Sequence, residues 1–252
     1  MGDFLVNFAI VGTQKGGTTA LAKFLAQHPE VCFAPGKEVH FFDAPDYCES
    51  RSWAQLNQEY QQAFSNFRGQ KLVGEATPAY MYLPWVAQRI YNYNPEMKLI
   101  FLLREPVERA VSHYQMELER QAEWLPLRWA LAVEPVRLWR DRHNYQFNSS
   151  LRCHSYLDRG CYARQILQMM RYFPREQMLF LKTSELWHQH QATLQRVYNF
   201  LGLTAGHWPA QELVFSGGRA IVVSQRLRDR LTAHFQQANQ LLQAILNWSE
   251  GF

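Results

Sequence analysis

The chain has 252 residues, 47% hydrophobic and 19% charged, and is long enough to bury one large core. Its formal net charge of +4, with both signs mixed along the chain, selects neither nucleic acid nor an acidic partner. No apolar run approaches the ~18–20 residues that span a bilayer, the start lacks a basic stretch ahead of an apolar one, and the four cysteines form no CxxC pair. With no repeat, low-complexity segment or Pro-rich linker, the composition reads as a single cytoplasmic domain over residues 1–252, with free thiols and no membrane partner.

Residues 8–12 (FAIVG) make a continuous apolar run ending in glycine, which predicts a strand buried on both faces. Over residues 18–28, Ala20, Leu21, Phe24 and Leu25 keep helical spacing, and the pattern stops before Pro29. Short strands are predicted over 30–33 and 71–75, and a clearer buried strand over 98–105 (KLIFLLRE). Pro106 follows at a first-helical-turn position, with Val107, Ala110, Val111, Tyr114 and Leu118 at helical spacing behind it. A helix over 162–172, a strand over 177–182 and a helix over 191–201 closed by Gly202 come next. Ser224 caps a final helix to about residue 246, with Leu227, Leu231, Phe235, Leu241, Leu242 and Ile245 on its buried side. Strands alternating with helices predict a central parallel sheet flanked by helices, an α/β fold whose ligands sit at the carboxyl ends of the strands. Two polar clusters fall at such ends: GTQKGGTT after the first strand and REPVERAVS after the central one.

The first cluster reads as an anion cradle. A strand, a glycine turn and a helix N-terminus converge main-chain N–H groups and the positive end of the helix dipole on one spot. Gly12, Gly16 and Gly17 let the backbone approach closely, Thr18 and Thr19 add hydroxyls, and Lys15 adds a mobile charge. The pattern is not that of a nucleoside-triphosphate loop, which places its lysine after the last glycine at the helix start. A dinucleotide-binding GxGxxG also fails, because glycines occupy 12, 16 and 17.

GTQKGGTTAL, then KEVHFF, then LLREPVERAVSHY together resemble the sulfotransferases that use 3′-phosphoadenosine 5′-phosphosulfate (PAPS), above all the heparan-sulfate-type branch. EATPAYMY (75–82), RGCYARQILQMMRYFP (159–174) and GGRA (217–220) echo the same family, so the resemblance runs over nearly the whole chain. It implies a single-domain, P-loop-kinase-like sulfotransferase fold. It also implies in-line transfer of a sulfuryl group from PAPS to an acceptor hydroxyl or amine, releasing adenosine 3′,5′-bisphosphate without a metal.

The resemblance implies that Lys15, Gly16, Gly17, Thr18 and Thr19 hold the 5′-phosphosulfate, with Lys15 neutralising charge on the leaving phosphate. It places the 3′-phosphate on Arg104 and Ser112, whereas an ion pair of Arg104 with Glu105 or Glu108 is the plainer alternative. Arg109 is expected in an ion pair on the helix surface. Tyr162 matches a tyrosine near the adenine, though an aromatic on a helix face is as often core. Gly217, Gly218 and Arg219 match a late cofactor loop in which Gly217 stands where relatives carry lysine. Glu38 matches the general base, and His40, two residues on, is the rival base. Lys37 is a candidate contact to acceptor or sulfate. Glu75 matches a glutamate whose lysine neighbour is here Ala76, which argues against a heavily anionic acceptor.

Trp124, Trp129 and Trp139, with Arg128, Arg137, Arg140 and Arg142, lie in an irregular stretch where aromatic faces could stack on a sugar, cover an apolar acceptor or simply pack. His188 and His190 in WHQH have no partner ligands for a metal. The expected partner is a small-molecule or carbohydrate acceptor, without nucleic acid, and the sequence carries no sign of oligomeric state. A small-molecule kinase and a catalytically silent nucleotide-binding module are the rival readings.

Overall fold

A computed structural model of the chain describes residues 4–36, 38–211 and 221–252. The apolar runs form strands β1 (Phe8–Gly12), β2 (Val31–Phe33), β3 (Leu72–Ala76), β4 (Lys98–Leu103) and β5 (Met178–Lys182). All pair in parallel, in the order β2-β3-β1-β4-β5, so β1 lies at the centre with β3 and β4 as neighbours. Register sets Phe8 beside Gly74 and Lys98, and Ile10 beside Ala76 and Ile100. The strands of this sheet are buried on both faces, which is why they read as unbroken apolar runs rather than alternating ones.

The helices are α1 (Thr18–Ala26), α2 (Trp53–Gln61), α3 (Val86–Tyr93), α4 (Pro106–Glu119), α5 (Leu127–Arg140), α6 (Ser150–Cys153), α7 (Tyr162–Met170), α8 (Thr183–His188), α9 (His190–Leu201) and α10 (Gln225–Leu246). Their ends follow local rules. Pro106 opens α4, and the Glu105 carboxylate accepts from the N–H groups of Val107 and Glu108. Gly202 ends α9 in the left-handed region, and the Ser224 hydroxyl caps α10 at Leu227. On α10, Leu231, Phe235, Leu242 and Leu246 are buried, whereas Leu241, expected inside, is exposed. Helix α5 occupies the stretch that reads as irregular in sequence.

Two compact units divide the chain, the first from residues up to Leu103 and from Gln168 onward, the second from Arg104–Leu167 and the C-terminal residues. In the first, the sheet packs against α1, α8 and α9 through Phe8, Ile10, Leu21, Phe24, Ile100, Leu102, Leu186, Leu194 and Val197. In the second, Val107, Ala110 and Tyr114 of α4 meet Ala130 and Leu131 of α5, Tyr156, and Leu231 and Phe235 of α10. The four cysteines are free. Among the described residues, no helix is long and apolar enough to cross a membrane.

Candidate active site

In the first unit, β1 ends at Gly12, and residues 13–17 lead directly into α1. The Thr13 N–H donates to the Leu102 carbonyl of β4, and the Gly16 N–H to the Thr13 carbonyl, both at 2.9 Å. The loop is thus tied to the sheet at its start and closed on itself. From α8, the Thr183 hydroxyl donates to the Gly16 carbonyl at 2.6 Å and lies 3.1 Å from the Leu103 carbonyl. A Cβ at Gly16 would stand 2.5 Å from the Leu102 carbonyl oxygen, so no side chain fits. Gly17 has φ +90, and Lys15 before them sits at φ 67, both in the left-handed region. Gly17 precedes α1 with no side chain to cap it; the Ala20 N–H turns back to the Gly17 carbonyl, and the N–H groups of Thr18 and Thr19 with the helix dipole make a place suited to an anion. Thr18 and Thr19 open the helix there, and Lys15 is half-buried beside them in sequence.

A second cluster in the same unit surrounds His40. Its Nε2 lies 3.3 Å from a Glu38 carboxylate oxygen, and its Nδ1 is 3.0 Å from Asp43 Oδ2. Burial of the ring opposes its charged form, but hydrogen bonds to Asp43 and Glu38 outweigh it and push the imidazole up to about 9. Glu38 and His40 both have positive φ, 61 and 55.

This segment is tied to β3 by hydroxyl groups. Glu75, fully buried, accepts from the hydroxyls of Tyr60 (2.7 Å), Tyr80 (2.7 Å) and Thr77 (2.5 Å). The Tyr80 oxygen in turn accepts from the N–H of Phe41 at 2.9 Å and of Phe42 at 3.3 Å, and the Thr77 oxygen from the N–H of His40 at 3.2 Å. Burial raises the Glu75 carboxyl above its ordinary value, against the pull of the hydroxyls. Glu75 therefore acts through two side chains on the backbone that carries His40.

In the second unit, Arg104 follows β4 in the chain, and its Nε and Nη2 lie 3.3 Å from Glu108 Oε2, the pairing foreseen as the plainer alternative. Glu105, the other candidate partner, is engaged as the α4 cap. Ser112 is half-buried on α4. Tyr162 is buried, and its hydroxyl donates to the Arg104 carbonyl at 2.8 Å, fixing the backbone from which that guanidinium extends. Arg109, expected in a surface ion pair, is fully buried. It falls on the α4 face of Ala110, His113 and Glu117; its guanidinium donates to the Tyr156 carbonyl and lies 3.5 Å from His113 Nδ1. Lys37, Gly217, Gly218 and Arg219 lie outside the described residues.

The model of the sulfotransferase domain family matches residues 6–216. The chain belongs to the sulfotransferase domain family. The chain is 33% identical over 194 residues to mouse heparan sulfate glucosamine 3-O-sulfotransferase 3B1, a match covering 77% of this chain and 45% of that protein. With mouse heparan sulfate glucosamine 3-O-sulfotransferase 6 it shares 35% over 199 residues, covering 77% of this chain and 51% of the relative. It thus spans about half the length of the curated relatives it matches. The crystal structure of a sulfotransferase from Alicyclobacillus acidocaldarius superposes with a TM-score of 0.80 at 31% identity, covering 97% of this chain and 96% of the other.

Within the first unit, the fold brings Glu38 and His40 into contact and seats Lys15 in a glycine loop at the start of α1. Sequence reading missed Asp43, Tyr60, Thr77, Tyr80 and Thr183. Asp43 stands three residues after His40, close enough on a tight turn to have been suspected. Thr77 and Tyr80 lie inside the quoted EATPAYMY, but nothing in a string of letters marks Tyr60 as a partner of Glu75 or Thr183 as a partner of Gly16.

Proposed function

We propose that this sulfotransferase moves a sulfuryl group from PAPS to a hydroxyl or amine of a carbohydrate or small-molecule acceptor, releasing adenosine 3′,5′-bisphosphate. The observation that carries the reading is the Glu38–His40–Asp43 chain in the unit that also holds the Lys15 loop. The loop suits a phosphosulfate: Gly16 packs too closely on the Leu102 carbonyl to carry a side chain, Gly17 leaves α1 without a side-chain cap, and Lys15 stands in the same loop. PAPS supplies an activated sulfuryl group whose transfer leaves negative charge on the 5′-phosphate.

Lys15 neutralises that charge, with the first-turn N–H groups of α1 and the Thr18 and Thr19 hydroxyls around it. Arg104 and Ser112 take the 3′-phosphate, the guanidinium exchanging Glu108 for phosphate oxygens. Tyr162, through its hydrogen bond to the Arg104 carbonyl, holds that guanidinium's backbone. Gly217, Gly218 and Arg219 complete the nucleotide contacts in this reading. His40, with both ring nitrogens on carboxylates and a value raised to about 9, is a proton donor at neutral pH. Glu38 is therefore the general base that takes the acceptor proton, and His40 orients its carboxylate. The two relatives are named for heparan sulfate glucosamine, which favours a sugar acceptor. Ala76, buried at the end of β3 where the resembled family motif has lysine, favours one of low charge.

Calorimetry with adenosine 3′,5′-bisphosphate against ATP plus magnesium, followed by transfer from labelled PAPS to acceptor pools, tests the reading. Glu38→Gln should keep bisphosphate affinity and lose transfer by about 10²–10⁴. Preference for ATP would point to a kinase, and tight bisphosphate binding with no transfer to any pool would point to a silent module.

A further inference from the structure

Helix α5 and the turns around it sort their charges by side. The carboxylates of residues 121–148 are Glu123, Glu134 and Asp141, and each is turned to a partner within its own unit. Glu123, buried, accepts from the N–H of Trp124 and Leu125, from Arg137 and from the Tyr156 hydroxyl. Glu134, also buried, accepts from the N–H of Leu157 and Asp158, and Asp141 accepts from the Ser150 N–H.

The outward side is aromatic, apolar and basic. Trp124 is 79% exposed, Trp129 52%, Val136 58% and Trp139 66%. Residues 129, 136 and 139 share one stripe of the helix. Arg128, Arg140 and Arg142 are exposed around them. The Arg128 guanidinium lies 5.0 Å from the Trp129 ring centre and that of Arg142 5.1 Å from the Trp139 ring centre. Tyr145 and Phe147, a few residues on in the chain, are exposed as well. A plain solvated surface mixes both signs and scatters its large apolar groups. Here Glu123 and Glu134 face in and the half-buried Asp141 is held by the Ser150 N–H, while indoles and guanidinium groups face out.

We propose that this face of the second unit docks on an anionic lipid bilayer, with the indoles of Trp129 and Trp139 at headgroup depth and Arg128, Arg140 and Arg142 on lipid phosphates. Indole rings settle at the membrane–water interface. An amphipathic helix lying in that plane combines apolar burial with attraction to anionic headgroups. Val136 decides against a soluble polyanion, since a bare isopropyl group offers such a partner no donor and gains burial only in acyl chains. The arginines decide against a second copy, because a two-fold contact would set like charges face to face. Sequence reading expected no membrane partner; side-chain exposure, which letters do not display, is the ground for departing from it.

The test is sedimentation of the full chain with phosphatidylglycerol/phosphatidylcholine vesicles, with phosphatidylcholine vesicles alone, and, separately, a heparin-binding assay. Salt-sensitive binding to the phosphatidylglycerol vesicles with a blue shift of tryptophan emission is expected. The double change Trp129→Ala and Trp139→Ala should lower partitioning at least about tenfold. Arg128→Gln, Arg140→Gln and Arg142→Gln together should lower it on the order of 10²-fold, with circular dichroism and melting unchanged. Absence of vesicle binding, equal binding to both lipid compositions, or variants that bind like the parent would each overturn the proposal. Heparin binding without vesicle binding, or self-association alone, would also overturn it by assigning the face to another partner.

Discussion

At neutral pH the His40 ring, flanked at Nδ1 by Asp43 and at Nε2 by Glu38, carries its second proton, and that proton separates the two candidate bases. A ring that donates from both nitrogens has no lone pair for an acceptor hydroxyl, whereas a carboxylate keeps several. The same shift makes stability depend on pH. A value raised from 6.5 to about 9 in the folded state means the charged ring stabilises the fold fully below about 6.5. That contribution declines as pH rises and is gone above about 9. Melting curves of the parent and His40→Asn across this window should differ most at the acid end and converge at the alkaline end. A gap that widened with pH would mean the ring is neutral and would return His40 to the list of bases.

At the scale of elements, β3 and the segment 38–43 are joined by hydroxyl groups that converge on Glu75. Tyr80→Phe keeps the ring in place but leaves the N–H groups of Phe41 and Phe42 without that oxygen and removes one donor from a buried carboxylate. The expected cost is about 1–3 kcal/mol by denaturant unfolding, with turnover reduced and bisphosphate affinity unchanged. Loss of affinity in step with turnover would mean the segment is not what Tyr80 supports. None of this could be read from the letters, because a carboxylate's burial is a property of the packed sheet. The strands were legible for the same physical reason reversed: doubly buried segments must be continuously apolar, as KLIFLL is. Helix α5 was not, since Pro135 lies within it and Trp129, Val136 and Trp139 are exposed, which breaks the amphipathic pattern sequence reading relies on.

For the whole molecule, the strand order matters most. It was not legible either, since pairing partners lie far apart in the chain. With β1 bonded on both sides, the Lys15 loop grows from the centre of the sheet, whereas β2 and β5 have one strand neighbour each among the described residues. Hydrogen exchange should therefore find the N–H groups of β1 and β4 among the slowest, opening only with global unfolding, and those of the short β2 among the first to exchange. Fast exchange in β1 would contradict the central placement. A loop anchored there would need little ordering to take the proposed phosphosulfate, which suits a cradle made of main chain.

Lys15, Glu38 and His40 share a backbone conformation that glycine adopts freely and other residues resist by about 1–2 kcal/mol. At Lys15 that backbone preference opposes the proposed chemistry. Lys15→Gly should melt above Lys15→Ala, and close to or above the parent, while both lose turnover by roughly 10²–10³. A search for hardier variants of this protein that ignored activity would be drawn to Lys15, not to His40, whose charged ring holds the fold together below about 9, and on the proposed reading would return a sturdier, idle molecule.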